Sequence, residues 1–201
     1  MVSAALMCRF GPTLRYWKPV QTGIEVDDDT AEVRRLSGAS PDRLLDQGVR
    51  LPRPLSPHLS ASLARRPISL APLMDLAWSQ PDTDRWVVEG AGGVLVPLNE
   101  QELMVDLVTV LGLPALIAAR STLGTINHTL LTIEALRSRA VPIAGVVMVG
   151  PPNPDNRIAI ETRGHVTVIG ELPALDPLTP EVLRVAAARL AVQGELDAFC
   201  V

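Results

Sequence analysis

Three short stretches put ionisable side chains where a buried element would end. In YWKPVQTG (residues 16–23) Lys18 follows two aromatic residues and precedes a proline. In VVEGAGG (87–93) Glu89 closes a hydrophobic run and is followed by Gly90, Ala91, Gly92 and Gly93. In VDDDTAEVRRLSG (26–38) Asp27, Asp28 and Asp29 stand in a row. A carboxylate at the end of a buried strand costs several kcal/mol of desolvation unless something pairs with it. A hard cation such as Mg²⁺ would pair with Glu89, with substrate phosphates filling its other positions. The glycines that follow would expose backbone N–H groups to an anion. An arginine partner for Glu89, with the glycines making only a turn, is the alternative.

Lys18 is the only lysine among 18 basic residues. An ammonium is a compact point charge on a flexible stem, suited to a phosphate or to charge developing in a reaction. The alternative is a lysine snorkelling from a sheet edge. Asp29-Thr30-Ala31-Glu32 has the form of a capping box and Gly38 suits the residue after a helix. Asp29 therefore either caps a helix or meets a local cation that relieves the repulsion among three successive acids. A fourth stretch, STLGTINHTLLTIEAL (121–136), opens a helix at Gly124 and Thr125, whose free N–H groups would form an anion site. Asn127 adds an amide in the first turn, and His128 reads as a helix-face residue rather than a ligand. Neither Cys8 nor Cys200 lies near these stretches, and there is no Ser-His-Asp or CxxC signature.

The elements that must position these groups alternate between strand and helix. Segments 13–20, 85–90, 114–119, 142–149 and 166–172 read as strands, several of them continuous Val/Ile/Leu/Ala runs suited to parallel strands buried on both faces. Segments 103–112, 123–140 and 179–197 carry helical periodicity with Gly or Pro at their ends. Residues 51–60 form a proline-rich loop leading through Ser56-Pro57 into a short helix. This alternation predicts a single-domain α/β fold with a mostly parallel sheet and helices on both faces. Ligands gather beyond the carboxyl ends of such strands. The loops 18–23, 89–93, 120–127, 149–152 and 171–176 are therefore expected to build one site.

Composition narrows the function classes. A hydrophobic content of 47% excludes wholesale disorder, and no apolar run reaches the roughly 18 residues of a membrane span. A net charge of −4 disfavours a nucleic-acid backbone as partner. Two distant cysteines and no visible secretion signal predict a cytoplasmic protein.

Taken in order, YWKPVQTG, DDDTAEVRRLSG, SPHLSA, VVEGAGGVLVPL, GTINHTLLTIEAL and GELP resemble the dethiobiotin synthetase family over about residues 2–175. The resemblance implies a P-loop NTPase-like fold, a homodimer, and ATP- and Mg²⁺-dependent closure of a ureido ring. The substrates would be 7,8-diaminononanoate and CO₂, joined first as a carbamate that ATP phosphorylates. It implies that Lys18 faces the carbamate and γ-phosphate and that Asp29 and Glu89 are the magnesium carboxylates at the nucleotide. Thr22, Gly90, Gly92 and Gly93 would line the substrate and phosphate region. Gly124, Thr125 and Asn127 would reach the diaminononanoate carboxylate bound by a partner subunit. Gly170, Glu171, Leu172 and Pro173 would meet the nucleotide base.

The chain departs from the family pattern in two places. No G-x-x-x-x-G-K-[ST] phosphate loop occurs, since the only lysine is Lys18. Residues 1–8 resemble the helix that follows that loop, so Met1 is expected to be internal to a longer protein whose first strand and phosphate loop are missing here. As written, the chain is expected to bind ATP poorly and to be insoluble or inactive. Val149-Gly150-Pro151-Pro152 also replaces a position where the family often carries a base-reading asparagine. Two alternatives stay open: a non-catalytic, degenerate paralogue acting as a binding or regulatory subunit, and a P-loop amidoligase of the cobyric acid synthase type.

Overall fold

The computed structural model describes residues 1–81 and 85–190. They form two compact units, Ser3–Gly112 and the segment from Leu113 onward. Cys200 and the end of the expected 179–197 helix lie outside the described residues.

In the first unit, helix α1 (Val2–Phe10) leads into strand β1 (Leu14–Trp17). Strand β1 pairs in parallel with β3 (Leu44–Leu45) on one side and β5 (Arg85–Val88) on the other. Strand β2 (Val20–Thr22) pairs in parallel with β4 (Val49–Leu51) as a separate two-stranded sheet. Helices α2 (Asp29–Ser37), α3 (Pro57–Ala64), α4 (Leu70–Trp78) and α5 (Met104–Leu111) complete the unit. Its core joins Trp17, Val20, Leu51, Leu73, Met74, Leu98, Met104 and Leu107.

In the second unit, β6 (Ala115–Arg120), β7 (Ile143–Val149) and β8 (Val168–Leu172) form a parallel sheet in the order β6-β7-β8. Helices α6 (Thr125–Ser138) and α7 (Pro154–Gly164) connect these strands, and α8 (Pro180–Ala187) follows them. Val146, Val147, Met148, Ile160, Leu172 and Leu183 are buried here.

The α/β reading with parallel strands holds, with differences of detail, among them the short strands β3 and β4 where none was expected. The expected strand 13–20 is broken into β1 and β2, which belong to different sheets, and the break falls at Lys18-Pro19. Proline has no N–H to give a ladder, so strand pairing cannot run through it. Strand β7 is buried along five successive residues, as a strand covered on both faces should be. Strand β5 is only partly buried, with Arg85 exposed, and the last four residues of β6 alternate buried with exposed, the pattern of a strand with one covered face. Helices α4 and α7 lie where no helix was expected; prolines inside or at the start of each obscured the periodicity.

Candidate active site

Strand register creates the central cluster. In the β1–β5 ladder Trp17 lies opposite Val88, and Glu89 N donates to Trp17 O at 2.8 Å. The next residue on each strand, Lys18 and Glu89, therefore leaves the sheet side by side at its carboxyl edge. Lys18 Nζ donates to Glu89 Oε1 at 2.8 Å and lies 2.7 Å from Asp29 Oδ2. Gly90 O is a longer contact at 3.5 Å. Lys18 is only 6% exposed, so the snorkelling alternative fails. Glu89 takes a lysine, not an arginine, as its cationic partner.

Asp29 reaches this cluster because it does not cap its own helix. The cap of α2 is Asp28, whose Oδ1 accepts from Thr30 N at 3.0 Å and Ala31 N at 3.1 Å. The capping role, one of the two readings of Asp29, thus falls to Asp28, while Gly38 ends the helix in the left-handed conformation as expected (φ 69°). Being the first helical residue, Asp29 points away from the backbone N–H groups that Asp28 occupies. The cap is tied to β2 by the wholly buried Gln21, whose Nε2 donates to Asp28 Oδ1 at 3.2 Å. Arg50 donates to Gln21 Oε1 and to Thr30 Oγ1, fixing the same corner.

Behind Glu89 lie two hydroxyl groups that sequence reading did not single out. Ser3 Oγ and Tyr16 Oη both donate to Glu89 Oε2, the tyrosine at 3.2 Å. Burial opposes charge on Glu89, yet Lys18 and Ser3 hold its pKa below the ordinary carboxylate value. Burial likewise opposes the Lys18 ammonium, but Glu89 and Asp29 outweigh it and raise its pKa. Burial, reinforced by the neighbouring Glu89 charge, pushes the Tyr16 phenol far above its usual range. The tyrosine is a permanent donor.

The glycine loop after β5 is solvent-exposed at Gly90, Gly92 and Gly93. Only Gly92 needs to be glycine for its backbone, at φ 79° with Val96 Cγ2 3.0 Å from where a Cβ would sit. Thr22 ends β2 half-buried, and Gly23 (φ 80°) turns the chain toward α2.

In the second unit, three of the expected loops meet. Ser121 N donates to Val149 O at 2.9 Å, Gly150 N to Leu172 O at 2.9 Å, and Asn156 Nδ2 to Ser121 O at 3.0 Å. Gly124, at φ 92°, precedes α6 without any side-chain cap, and Thr125 N donates back to Thr122 O at 3.2 Å. Thr125 is buried and Asn127 exposed. His128 is an exposed helix-face residue. Gly170, Glu171 and Leu172 lie within β8, with Pro173 just after it. Glu171 is held by Arg157, whose Nη1 lies 3.2 Å from Oε1.

The first cluster offers two carboxylates, Asp29 and Glu89, both paired with Lys18. No group of three or more His, Cys, Asp and Glu side chains is placed to hold an ion among the described residues. Two carboxylates are what magnesium uses when phosphates and water complete its shell, whereas a structural zinc site requires four ligands.

Among the described residues no helix is long and apolar enough to cross a membrane. The family described as an AAA domain matches residues 1–182. The ATP-dependent dethiobiotin synthetases BioD of Brucella ovis and Brucella canis are each 47% identical over 187 residues, covering 93% of this chain and 85% of theirs. That of Brucella abortus (strain S19) is 46% identical over the same length. Together with the parallel α/β fold, these matches place the chain in the AAA-domain family and, more narrowly, make it a member of the ATP-dependent dethiobiotin synthetase family.

Proposed function

We propose that the chain carries the reaction of its relatives: closure of a ureido ring on 7,8-diaminononanoate from CO₂ at the expense of ATP, in biotin biosynthesis. The observation that supports this best is a buried ammonium, that of Lys18, shared by two carboxylates from different elements, Asp29 and Glu89. A carbamate formed from the diamine and CO₂ is an anion, and its phosphorylation gathers more negative charge. Lys18, held charged, offsets that charge as the phosphoryl group arrives. Asp29 and Glu89 would hold a magnesium ion, which when bound neutralises phosphate oxygens. Thr22, Gly90, Gly92 and Gly93 would present hydroxyl and backbone N–H groups to the substrate. Keeping the free amine beside the carbamate favours ring closure over escape.

In the second unit, the start of α6 at Gly124, with the Thr125 hydroxyl and the Asn127 amide, would bind the substrate carboxylate held by a partner subunit. The enzyme would therefore act as a homodimer. Leu123, wholly exposed beside that loop, and the half-exposed Leu131 on α6 supply apolar surface for such an association. Gly170 to Pro173 would meet the base of ATP. Nothing in this chemistry requires a membrane, in keeping with a cytoplasmic enzyme.

The 201 residues contain no G-x-x-x-x-G-K-[ST] sequence, so the two halves of the reaction are best tested apart. Carbamate formation needs no nucleotide. With [¹³C]bicarbonate and 7,8-diaminononanoate, the chain is expected to show a protein-bound carbamate carbonyl signal, and Lys18→Gln is expected to lose it without a matching fall in melting temperature. Where ATP turnover is measured, Lys18→Gln should lower kcat about 100-fold. Turnover is expected to be slower than that of the Brucella ovis relative assayed in parallel. A folded chain giving neither carbamate signal nor dethiobiotin would overturn the reading.

A further inference from the structure

We infer that Ser3 and Tyr16 are positioning residues that hold Glu89 by one oxygen so that only the other is offered to the site. This rests on the metal-binding reading of Glu89 proposed above.

The two oxygens of Glu89 have different surroundings. Oε2 faces inward and accepts from both Ser3 Oγ and Tyr16 Oη. Oε1 faces the cluster and accepts only from Lys18 Nζ among the hydrogen bonds described. The donors come from separate elements, Ser3 from α1 and Tyr16 from β1, while Glu89 follows β5. Tyr16 is wholly buried and Ser3 is 9% exposed, so water cannot substitute readily for either hydroxyl.

A carboxylate with both oxygens free can chelate a cation through two atoms, swing to a second rotamer, or pair fully with a lysine. Occupying Oε2 with two hydroxyl donors removes these options. What remains is one oxygen, Oε1, presented in one direction and shared with Lys18 Nζ, an arrangement that suits single-oxygen contact with a small octahedral cation. Outer groups that orient a ligand in this way typically change metal affinity 10- to 100-fold when removed. Both hydroxyls are placed by ordinary packing. Tyr16 is the strand residue two before Lys18, and Ser3 is a polar residue in an otherwise apolar stretch of α1.

The single lysine of the chain supplies a local probe. Protein labelled with ¹³C at lysine Cε gives one Lys18 signal, and Mn²⁺ bound at Glu89 broadens it by proximity. In the parent chain this broadening is expected to saturate, and Glu89→Gln to lose it. Tyr16→Phe keeps the ring and removes only the hydroxyl; it should raise the midpoint for Mn²⁺ about 10-fold. Ser3→Ala should do likewise, Ser3→Thr should restore the parent midpoint, and the double variant should exceed either alone. Circular dichroism at the titration temperature checks that each variant is folded. If Glu89→Gln abolishes the broadening while folded Tyr16→Phe and Ser3→Ala keep the parent midpoint, the inference fails and the metal reading stands. If the parent shows no saturable broadening, or Glu89→Gln leaves it unchanged, the metal reading fails and takes this inference with it.

Discussion

At the scale of single residues, the arrangement depends on a division of labour between adjacent acids. Asp28 satisfies the first N–H groups of α2, which releases Asp29 to meet Lys18. Replacing an N-cap acid by alanine typically costs about 1 kcal/mol, so Asp28→Ala is expected to lower stability by about that much in urea denaturation at pH 7. Burial opposes the charge on Asp28, but the N–H of Ala31 and the Gln21 amide hold its pKa below the ordinary 3.8. A carboxylate whose pKa is depressed on folding contributes stability above its unfolded pKa and loses it as pH falls through the folded value. The penalty of Asp28→Ala should therefore shrink on acidification below about pH 4, and a penalty constant down to pH 2 would exclude this account. Asp28→Asn keeps a capping oxygen and should cost less than alanine at neutral pH.

At the scale of elements, parallel register decides which side chains meet. The β1–β5 ladder aligns Trp17 with Val88 and so delivers Lys18 and Glu89 to the same edge. The second sheet fixes the route by which the chain leaves Lys18. Val49 N donates to Pro19 O at 2.8 Å, opening the β2–β4 pairing. Gly48, at φ 142°, sits against that carbonyl, which a Cβ would approach to 2.4 Å. Gly48→Ala is thus expected to destabilise by more than about 1 kcal/mol. It should also weaken the site, because β2 carries Gln21, which anchors the Asp28 cap. A stable Gly48→Ala variant with unchanged melting temperature would show that this ladder is not constrained as described. In the second unit Arg157 has the matching role: it joins α7 to Glu171 and to Val168 O at the end of the sheet.

At the scale of the whole molecule, each unit has its own buried interior, and the first unit's interior supports the cluster from beneath. Leu98 and Leu107 lie fully within it with Trp17 and Met104. Leu98→Ala should cost about 2–5 kcal/mol through lost burial and the cavity left behind, measurable as a shift in the denaturation midpoint. Exposed apolar side chains occur in both units, and in the second Leu123 is fully exposed among the described residues. If the proposed homodimer forms there, Leu123→Asp should weaken association in sedimentation equilibrium while leaving the single chain folded. Unchanged association would move the dimer surface elsewhere.

Much of this was legible in the sequence because it is local or periodic. Continuous apolar runs marked β7 and β8, the Gly-Thr step marked the start of α6, and the ordered blocks from YWKPVQTG to GELP carried the family. The residue types alone identified Lys18, Asp29 and Glu89 as groups that would need partners, since a buried charge cannot remain alone. What only the tertiary structure decided was which partners they took. Asp28 rather than Asp29 caps α2, Pro19 splits one expected strand between two sheets, and Ser3 and Tyr16 close around Glu89 from residues 86 and 73 positions away. Such contacts depend on strand register and helix placement. These are set by the burial of many side chains at once, and no short stretch of sequence contains that information.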